Sequence, residues 1–142
     1  MEVELMAPAG DQQSLKAAVA NGADAVYLGL PDFNARKRAD NFTEDELPGV
    51  IEYLHNHNVK AYITLNTLIF STELGHALEY IKTIAQSGAD GVIVQDLGIA
   101  YLLSKAAPSL PVHASTQMTL TESEGIGLVE KLGIKRVILA RE

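Results

Sequence analysis

The sequence predicts an α/β chain built as a TIM-like (β/α)-barrel with about six strands present. Three observations lead there. Six short apolar runs alternate with amphipathic helical patterns. Those runs are continuous rather than alternating, as expected where both faces of a parallel sheet are covered. The joins from helix to strand repeat one grammar, Gly-Ala-Asp or a close variant.

The predicted strands are Val3–Met6, Ala25–Leu28, Lys60–Leu65, Gly91–Val94, Pro111–His113 and Arg136–Leu139. Between them, Leu47, Val50, Ile51 and Leu54 fall at i, i+3, i+4 and i+7, the stripe of a core-facing helix. Leu74, Ala77, Leu78, Ile81, Ile84 and Ala85 continue that pattern, and Ile99, Leu102, Leu103 and Ala106 form another. Pro108, Ser109 and Pro111 end the last of these. Thr43 with Glu46, and Thr121 with Glu124, have the spacing of capping boxes. NGADAVYLG (21–29), SGADGVIVQ (87–95) and LGIKRVILA (132–140) are weak internal repeats. Each reads as a helix stopped at a glycine in the left-handed region, followed by a buried strand.

Six strands and five helices fit either a doubly wound sheet or a barrel. The Gly-Ala-Asp joins favour the barrel by analogy. A full barrel takes about 250 residues, so residues 1–142 are expected to be its N-terminal part, with two βα units and a downstream region missing. Such a piece would have open strand edges through which it could self-associate.

Composition narrows the class. With 47% apolar and 20% charged residues, the 142-residue chain suits one globular unit with a core. It has no cysteine, which excludes disulfides and thiolate-held metals from these residues. No apolar run approaches the roughly 18 residues of a membrane span, and MEVELMAPAG lacks the basic start of a secretory signal. A cytoplasmic location is therefore expected, with no membrane partner. The net charge of −7 makes any grip on nucleic acid local. Arg36, Lys37 and Arg38 cluster, with Lys135 and Arg136 a weaker pair.

In parallel α/β folds the reactive groups collect at the C-terminal ends of the strands. There the sequence places APAGD (7–11), a 14-residue loop from Gly29 to Phe42, Asn66, Gln95-Asp96, HASTQ (113–117) and Arg141-Glu142. In HASTQ, a histidine, two hydroxyls and an amide can hold a polar ligand or exchange a proton. Alternatively, Ser115 or Thr116 caps a helical turn and His113 belongs to the core. Asn34 and Arg36 lie on a loop of a length uncommon in compact domains unless it works. The guanidinium fork suits carboxylate or phosphate, although a solvated basic loop would read the same way. Asp96 and Asp11 read first as N-caps, Asn66 as a ligand contact or a turn residue, and Gly10 as a turn that lets backbone approach a ligand. His55 and His57 form H-x-H, but residues two apart on a helix do not face each other, and no metal site is expected. There is no nucleophilic triad order, P-loop or dinucleotide fingerprint.

Seven segments in order carry a family resemblance: ELMAPAGD (4–11), NGADAVYLGL (21–30), FNARKRADNFT (33–43), ITLNTLI (63–69), GVIVQDLG (91–98), HASTQM (113–118) and RVILARE (136–142). Together they resemble the U32 peptidases, also known as collagenase-like peptidases. The resemblance implies a barrel-like N-terminal domain longer than this chain. It also implies a [4Fe-4S] cluster held by four cysteines downstream, since none of its ligands lies within these residues. Members of the family carry out oxygen-independent hydroxylations of a tRNA wobble uridine, an rRNA cytidine or a ubiquinone precursor, with prephenate implicated as oxygen source. The peptidase name reflects collagen degradation by some members. The implied reading is an RNA hydroxylase with an RNA substrate and a small anionic co-substrate. The alternatives are a collagenase-like peptidase and a non-catalytic half-barrel that binds a partner. By the same resemblance, His113, Gln117 and Glu142 are the candidate catalytic residues. Asn34, Arg36, Asn66, Gln95, Ser115 and Arg141 are the candidate substrate-binding residues.

Overall fold

A computed structural model describes residues 3–36 and 38–141. Six strands alternate with five helices: β1 (Met6–Ala9), α1 (Gln12–Ala20), β2 (Ala25–Gly29), α2 (Leu47–Asn56), β3 (Lys60–Leu65), α3 (Leu74–Gln86), β4 (Gly91–Val94), α4 (Leu97–Ala106), β5 (Val112–Ala114), α5 (Ser123–Lys131) and β6 (Ile134–Val137). All pairings are parallel, and the strand order is β1-β2-β3-β4-β5-β6. A doubly wound sheet reverses its order at a switch point. This one never does, which is the order of a barrel wall.

The two faces of the sheet hold different residues. Val26, Leu28, Ala61, Ile63, Leu65, Val92, Val94, Val112 and Ala114 belong to the main core with the helices. Ala25, Tyr62 and Ile93 form a second cluster on the inner face, with Met6, Tyr27 and Ile138 packed against it. Side chains alternate across a strand, so β1, β2, β3 and β4 each feed both cores, whereas β5 and β6 turn His113 and Arg136 to the inner face. The α2 stripe behaves as predicted: Leu47, Val50, Ile51 and Leu54 are all buried. Truncating the fully buried Leu54 to alanine would cost about 3 kcal/mol, in the usual range for such a core position.

The inner face curls far enough that its outermost strands communicate. Glu4, just before β1, accepts a hydrogen bond from Arg136 on β6. A bulge between Val112 and His113 in the β5–β6 pairing makes this contact available. Ile134 packs into the outer core, yet Arg136 faces inward and Val137 packs outward again.

Three expectations about the elements are corrected. β1 begins at Met6 rather than Val3, because Val3 (83% exposed) and Leu5 (57%) have no core to enter. β6 begins at Ile134 and ends at Val137, two residues earlier than the apolar run VIL suggested. Thr121 does not cap α5. Glu122 does, accepting from the Glu124 and Gly125 N–H groups at 2.7 Å each. By contrast, Thr43 and Glu46 exchange both capping-box bonds, on the turn just ahead of α2. The three repeat glycines, Gly22, Gly88 and Gly133, all have φ between 83° and 87°. Among the described residues, no helix is long and apolar enough to cross a membrane.

Candidate active site

The segment between β2 and α2 is braced at both ends. Phe33 has φ 54°, a left-handed conformation unusual for a bulky residue. Its ring is buried between His76 (5.2 Å) and Tyr80 (5.5 Å) of α3, which hold it there. Asp32 adds an anchor, its carboxylate 3.0 Å from His76 Nε2 and 3.4 Å from the Tyr80 hydroxyl. At the far end Asn41 has φ 56°, which asparagine tolerates. Its backbone N–H donates to the Gly10 carbonyl (2.8 Å). Gly10 thus approaches the loop closely, and a Cβ there would lie 3.1 Å from that of Ala39.

Asn34 ties the two ends together. It is 2% exposed, and its amide donates to Asn41 Oδ1 (2.8 Å). Its oxygen accepts from the Arg36 N–H (3.1 Å) and the Thr64 hydroxyl (3.3 Å). It can sit there only because residue 29 is glycine. A Cβ at Gly29 would fall 1.8 Å from Asn34 Nδ2.

This bracing delivers Arg36 to the mouth of the sheet. The guanidinium donates to the Tyr27 hydroxyl (2.7 Å) and lies 5.0 Å from the centre of its ring. Across from it, Asn66 Oδ1 accepts from the Ala35 N–H (3.0 Å). With its oxygen engaged, the Asn66 Nδ2 has no hydrogen-bond acceptor among the described residues. Both groups face a cavity of about 280 Å³ at the C-terminal ends of the strands. Met6, Ile93 and Ile138 are its apolar lining, and Ser115, Thr116 and Gln117 contribute a polar side. No carboxylate among the described residues lines it or pairs with Arg36. A cationic fork, an amide donor and hydroxyls over an apolar floor suit an oxygen-rich anion with a cyclic or apolar body.

Of the residues singled out from sequence, Arg36, Asn66, Ser115 and Gln117 therefore meet in one place. Asn34 stands behind them as the brace of Arg36. Ser115 also caps the 3₁₀ turn Thr116–Met118, its hydroxyl accepting from the Gln117 N–H (3.1 Å). Gln95 is half-buried at the end of β4 and does not line the cavity; nor does the exposed Arg141. Asp96 caps α4, accepting from the Ile99 N–H (3.0 Å), and Asp11 caps α1 from the Ser14 N–H (2.6 Å). Glu142 lies outside the described residues.

His113 is not at the mouth. It pairs in register with Ile93 and is 5% exposed, and its ring lies 4.8 Å from that of Tyr62, edge to face. Burial, reinforced by the positive charge of Arg136, pulls its pKa down to about 4, so it is neutral at neutral pH. Its Nδ1 is buried with no hydrogen-bond partner among the described residues. Below it, Glu4 accepts from Arg136, Lys60 (2.8 Å) and Tyr62 (3.3 Å). The Arg136 hydrogen bond is the main cause that lowers the Glu4 pKa to about 2.

Sequence reasoning missed Tyr27, which shapes the site as much as Arg36 does. The signal was available in the alternation of β2: Val26 and Leu28 enter the outer core, so Tyr27 must face inward, two residues from the strand end.

Comparison with known proteins decides the family. The sequence model described as peptidase family U32 matches residues 10–142. The chain belongs to peptidase family U32. Among curated U32 relatives, it is 36% identical over 139 residues to tRNA hydroxylation protein P1 of Bacillus subtilis, covering 98% of this chain and 33% of that protein. It is 42% identical to an uncharacterized protease of Methanocaldococcus jannaschii, covering 99% and 34%. It is 37% identical to the 23S rRNA 5-hydroxycytidine C2501 synthase of Escherichia coli, covering 99% and 21%. The chain thus spans about a third or less of these relatives' lengths. A solved U32 peptidase structure superposes with a TM-score of 0.75 over 97% of this chain and 58% of that one, at 13% identity, a likeness of fold alone.

Proposed function

We propose that the cavity at the strand ends serves the hydroxylation of an RNA base, tRNA or rRNA, in the protein to which this sequence belongs. The observation that carries the reading is the convergence of Arg36, Asn66 and Gln117 on a mouth that no carboxylate among the described residues lines. The names of the U32 relatives that hydroxylate tRNA and rRNA supply the reaction class. Arg36, held by Tyr27, binds the negative charge of a small anionic co-substrate such as prephenate. Asn66 donates to a second oxygen, and the Met6, Ile93 and Ile138 floor excludes water around the apolar body of the ligand. His113, neutral and beneath the floor, supports the wall rather than exchanging protons at the mouth. An iron–sulfur cluster of the kind the family resemblance implies would need thiolates, and the chain has no cysteine. The residues present do not fit that group.

The test is nucleoside mass spectrometry of tRNA and rRNA from a strain deleted for the gene. A hydroxylated pyrimidine should vanish, return with the wild-type gene, and fail to return fully with Arg36→Ala. Intact hydroxylation of both RNAs in the deletion strain would overturn the proposal.

The family name and the protease-named relative favour a second reading, collagenase-like proteolysis. Hydrolysis of a peptide needs an activated nucleophile. Ser115, the hydroxyl best placed for it, is buried and occupied as a cap, with no hydrogen bond to a histidine or carboxylate among the described residues. Cleavage of gelatin by the purified native protein, abolished by Ser115→Ala, would establish this reading instead.

A further inference from the structure

The basic cluster at residues 36–38 is only partly accounted for by the cavity. Arg36 turns inward to Tyr27. Arg38 does not. It is exposed, and it borders a separate open hollow of about 630 Å³ with Ala35, Arg36, Ala39 and Thr67. Arg36 and Ala35 line both spaces, so the hollow begins where the cavity rim ends.

Two further observations bear on what the hollow takes. Eighteen carboxylates are spread over the chain, yet none among the described residues lines the hollow or the cavity. Among the described residues neither arginine has a carboxylate partner, whereas Lys60, Lys82 and Arg136 are all paired. The loop is also set in advance. Asn41 Nδ2 donates to the carbonyls of Arg36 (3.2 Å) and Ala39 (3.0 Å), and the Ala39 N–H donates to the Arg36 carbonyl (3.0 Å). Backbone bracing on both sides of Arg38 lowers the loop-ordering cost of meeting a fixed anion, leaving only that of the side chain itself.

We propose that this hollow is a phosphate subsite, in which Arg38 contacts the nucleic-acid backbone next to the nucleotide that enters the cavity. The inference rests on the RNA reading above and adds the residue that grips the chain outside the reaction site. Phosphate contacts position a nucleic acid without reading its sequence, and each one releases counterions. Arg38 therefore acts on affinity and its salt dependence, while Arg36 acts on the ligand in the cavity.

The experiment uses the natively expressed protein and unmodified tRNA and rRNA fragments from the deletion strain, with dissociation constants measured between about 50 and 200 mM salt. Arg38→Gln should weaken binding to every RNA by a similar factor. It should also flatten the plot of log affinity against log salt by about 0.7, the value of one single-strand phosphate contact. Lys135→Gln, an exposed cation on β6 away from both spaces, should leave the slope unchanged. A wild-type slope retained in Arg38→Gln overturns the subsite but leaves the RNA reading standing. Wild-type protein with no salt-dependent RNA affinity overturns both. Gelatin binding that is lost in Arg38→Gln, with RNA binding untouched, assigns the hollow to a peptide and also overturns the proposal.

Discussion

The inner face of the sheet holds an arginine against a tyrosine at each end, and the two pairs have opposite fates. At the mouth, Arg36 lies 5.0 Å from the Tyr27 ring centre and bonds its hydroxyl. At the base, Arg136 lies 5.4 Å from the Tyr62 ring centre, with its hydroxyl at 3.5 Å. The base pair is completed by Glu4, which also takes Lys60. The mouth pair has no carboxylate partner among the described residues. A cation neutralised by its own chain holds structure together, whereas one that is held in place but left unneutralised is available to a ligand. Charge alone does not separate the two roles; the presence or absence of Glu4's equivalent does.

The largest expected effect breaks the mouth and spares the base. In Gly29→Ala the new methyl occupies the place of Asn34 Nδ2, so Asn34 must leave its buried position and its hydrogen bonds. Overpacking and the lost bonds together should cost about 4 kcal/mol in urea unfolding. Hydroxylation should disappear with Arg36 displaced. A variant of wild-type stability would show that the loop does not depend on this contact.

The next effect belongs to the base. His113 is held neutral, with a folded pKa of about 4 against an ordinary value of 6.5. Below pH 6.5 the unfolded chain gains a proton that the folded chain cannot hold until about pH 4. Stability should therefore fall across that window, by about 3 kcal/mol in total. His113→Phe should remove this acid limb. If its unfolding free energy declines between pH 6.5 and 4 as steeply as the wild type's, the limb has another source.

How much of this was legible in the sequence depends on the direction of each side chain. Strand ends could be located from apolar runs and Gly-Ala-Asp turns, and so Arg36, Asn66, Ser115 and Gln117 were found. The depth of a residue could not. His113 heads HASTQ in the sequence, but Ser115, two positions on and on the same face, is the one that reaches the cavity. Tyr27 was hidden for the converse reason, as an aromatic inside an apolar strand that reads as core. The Glu4–Arg136 contact joins residues 132 positions apart and depends on a bulge, which no local pattern encodes. Glu122 displaced Thr121 as the α5 cap because both residues can fill that role and only the backbone path decides.

Arg136→Met should cost about 2 kcal/mol. The Glu4 pKa of about 2 implies more, but the Arg136 side chain is 38% exposed, so water screens part of the interaction, and Lys60 remains as a partner. The sign follows from the depressed carboxylate. Its contribution is fully present above the ordinary pKa of 4.5 and is lost as pH falls toward about 2. The variant should thus differ most from wild type above pH 4.5 and converge with it in strong acid. RNA affinity should not change, since the mouth is untouched. A variant that binds RNA more weakly at unchanged stability would reverse the assignment of structure to the base.

The smallest effect is the most discriminating, because the same atom is removed at each end. Tyr27→Phe and Tyr62→Phe each delete one hydroxyl and keep the ring. Tyr62 donates to Glu4, itself only 19% exposed, so its loss should lower stability by about 1 kcal/mol and leave the KM for the anionic co-substrate unchanged. The Tyr27 hydroxyl accepts from an exposed guanidinium that water can solvate in its place, so stability should hold within about 0.5 kcal/mol. What Tyr27→Phe loses is orientation. Arg36 regains rotamers that the wild type has already given up, and about 1 kcal/mol of ligand affinity goes with them, some fivefold in KM. The two variants should therefore separate, one moving only the unfolding midpoint and the other only the KM. If both move the midpoint alone, Arg36 is a structural residue like Arg136, and the lack of a carboxylate at the mouth does not mark a binding site.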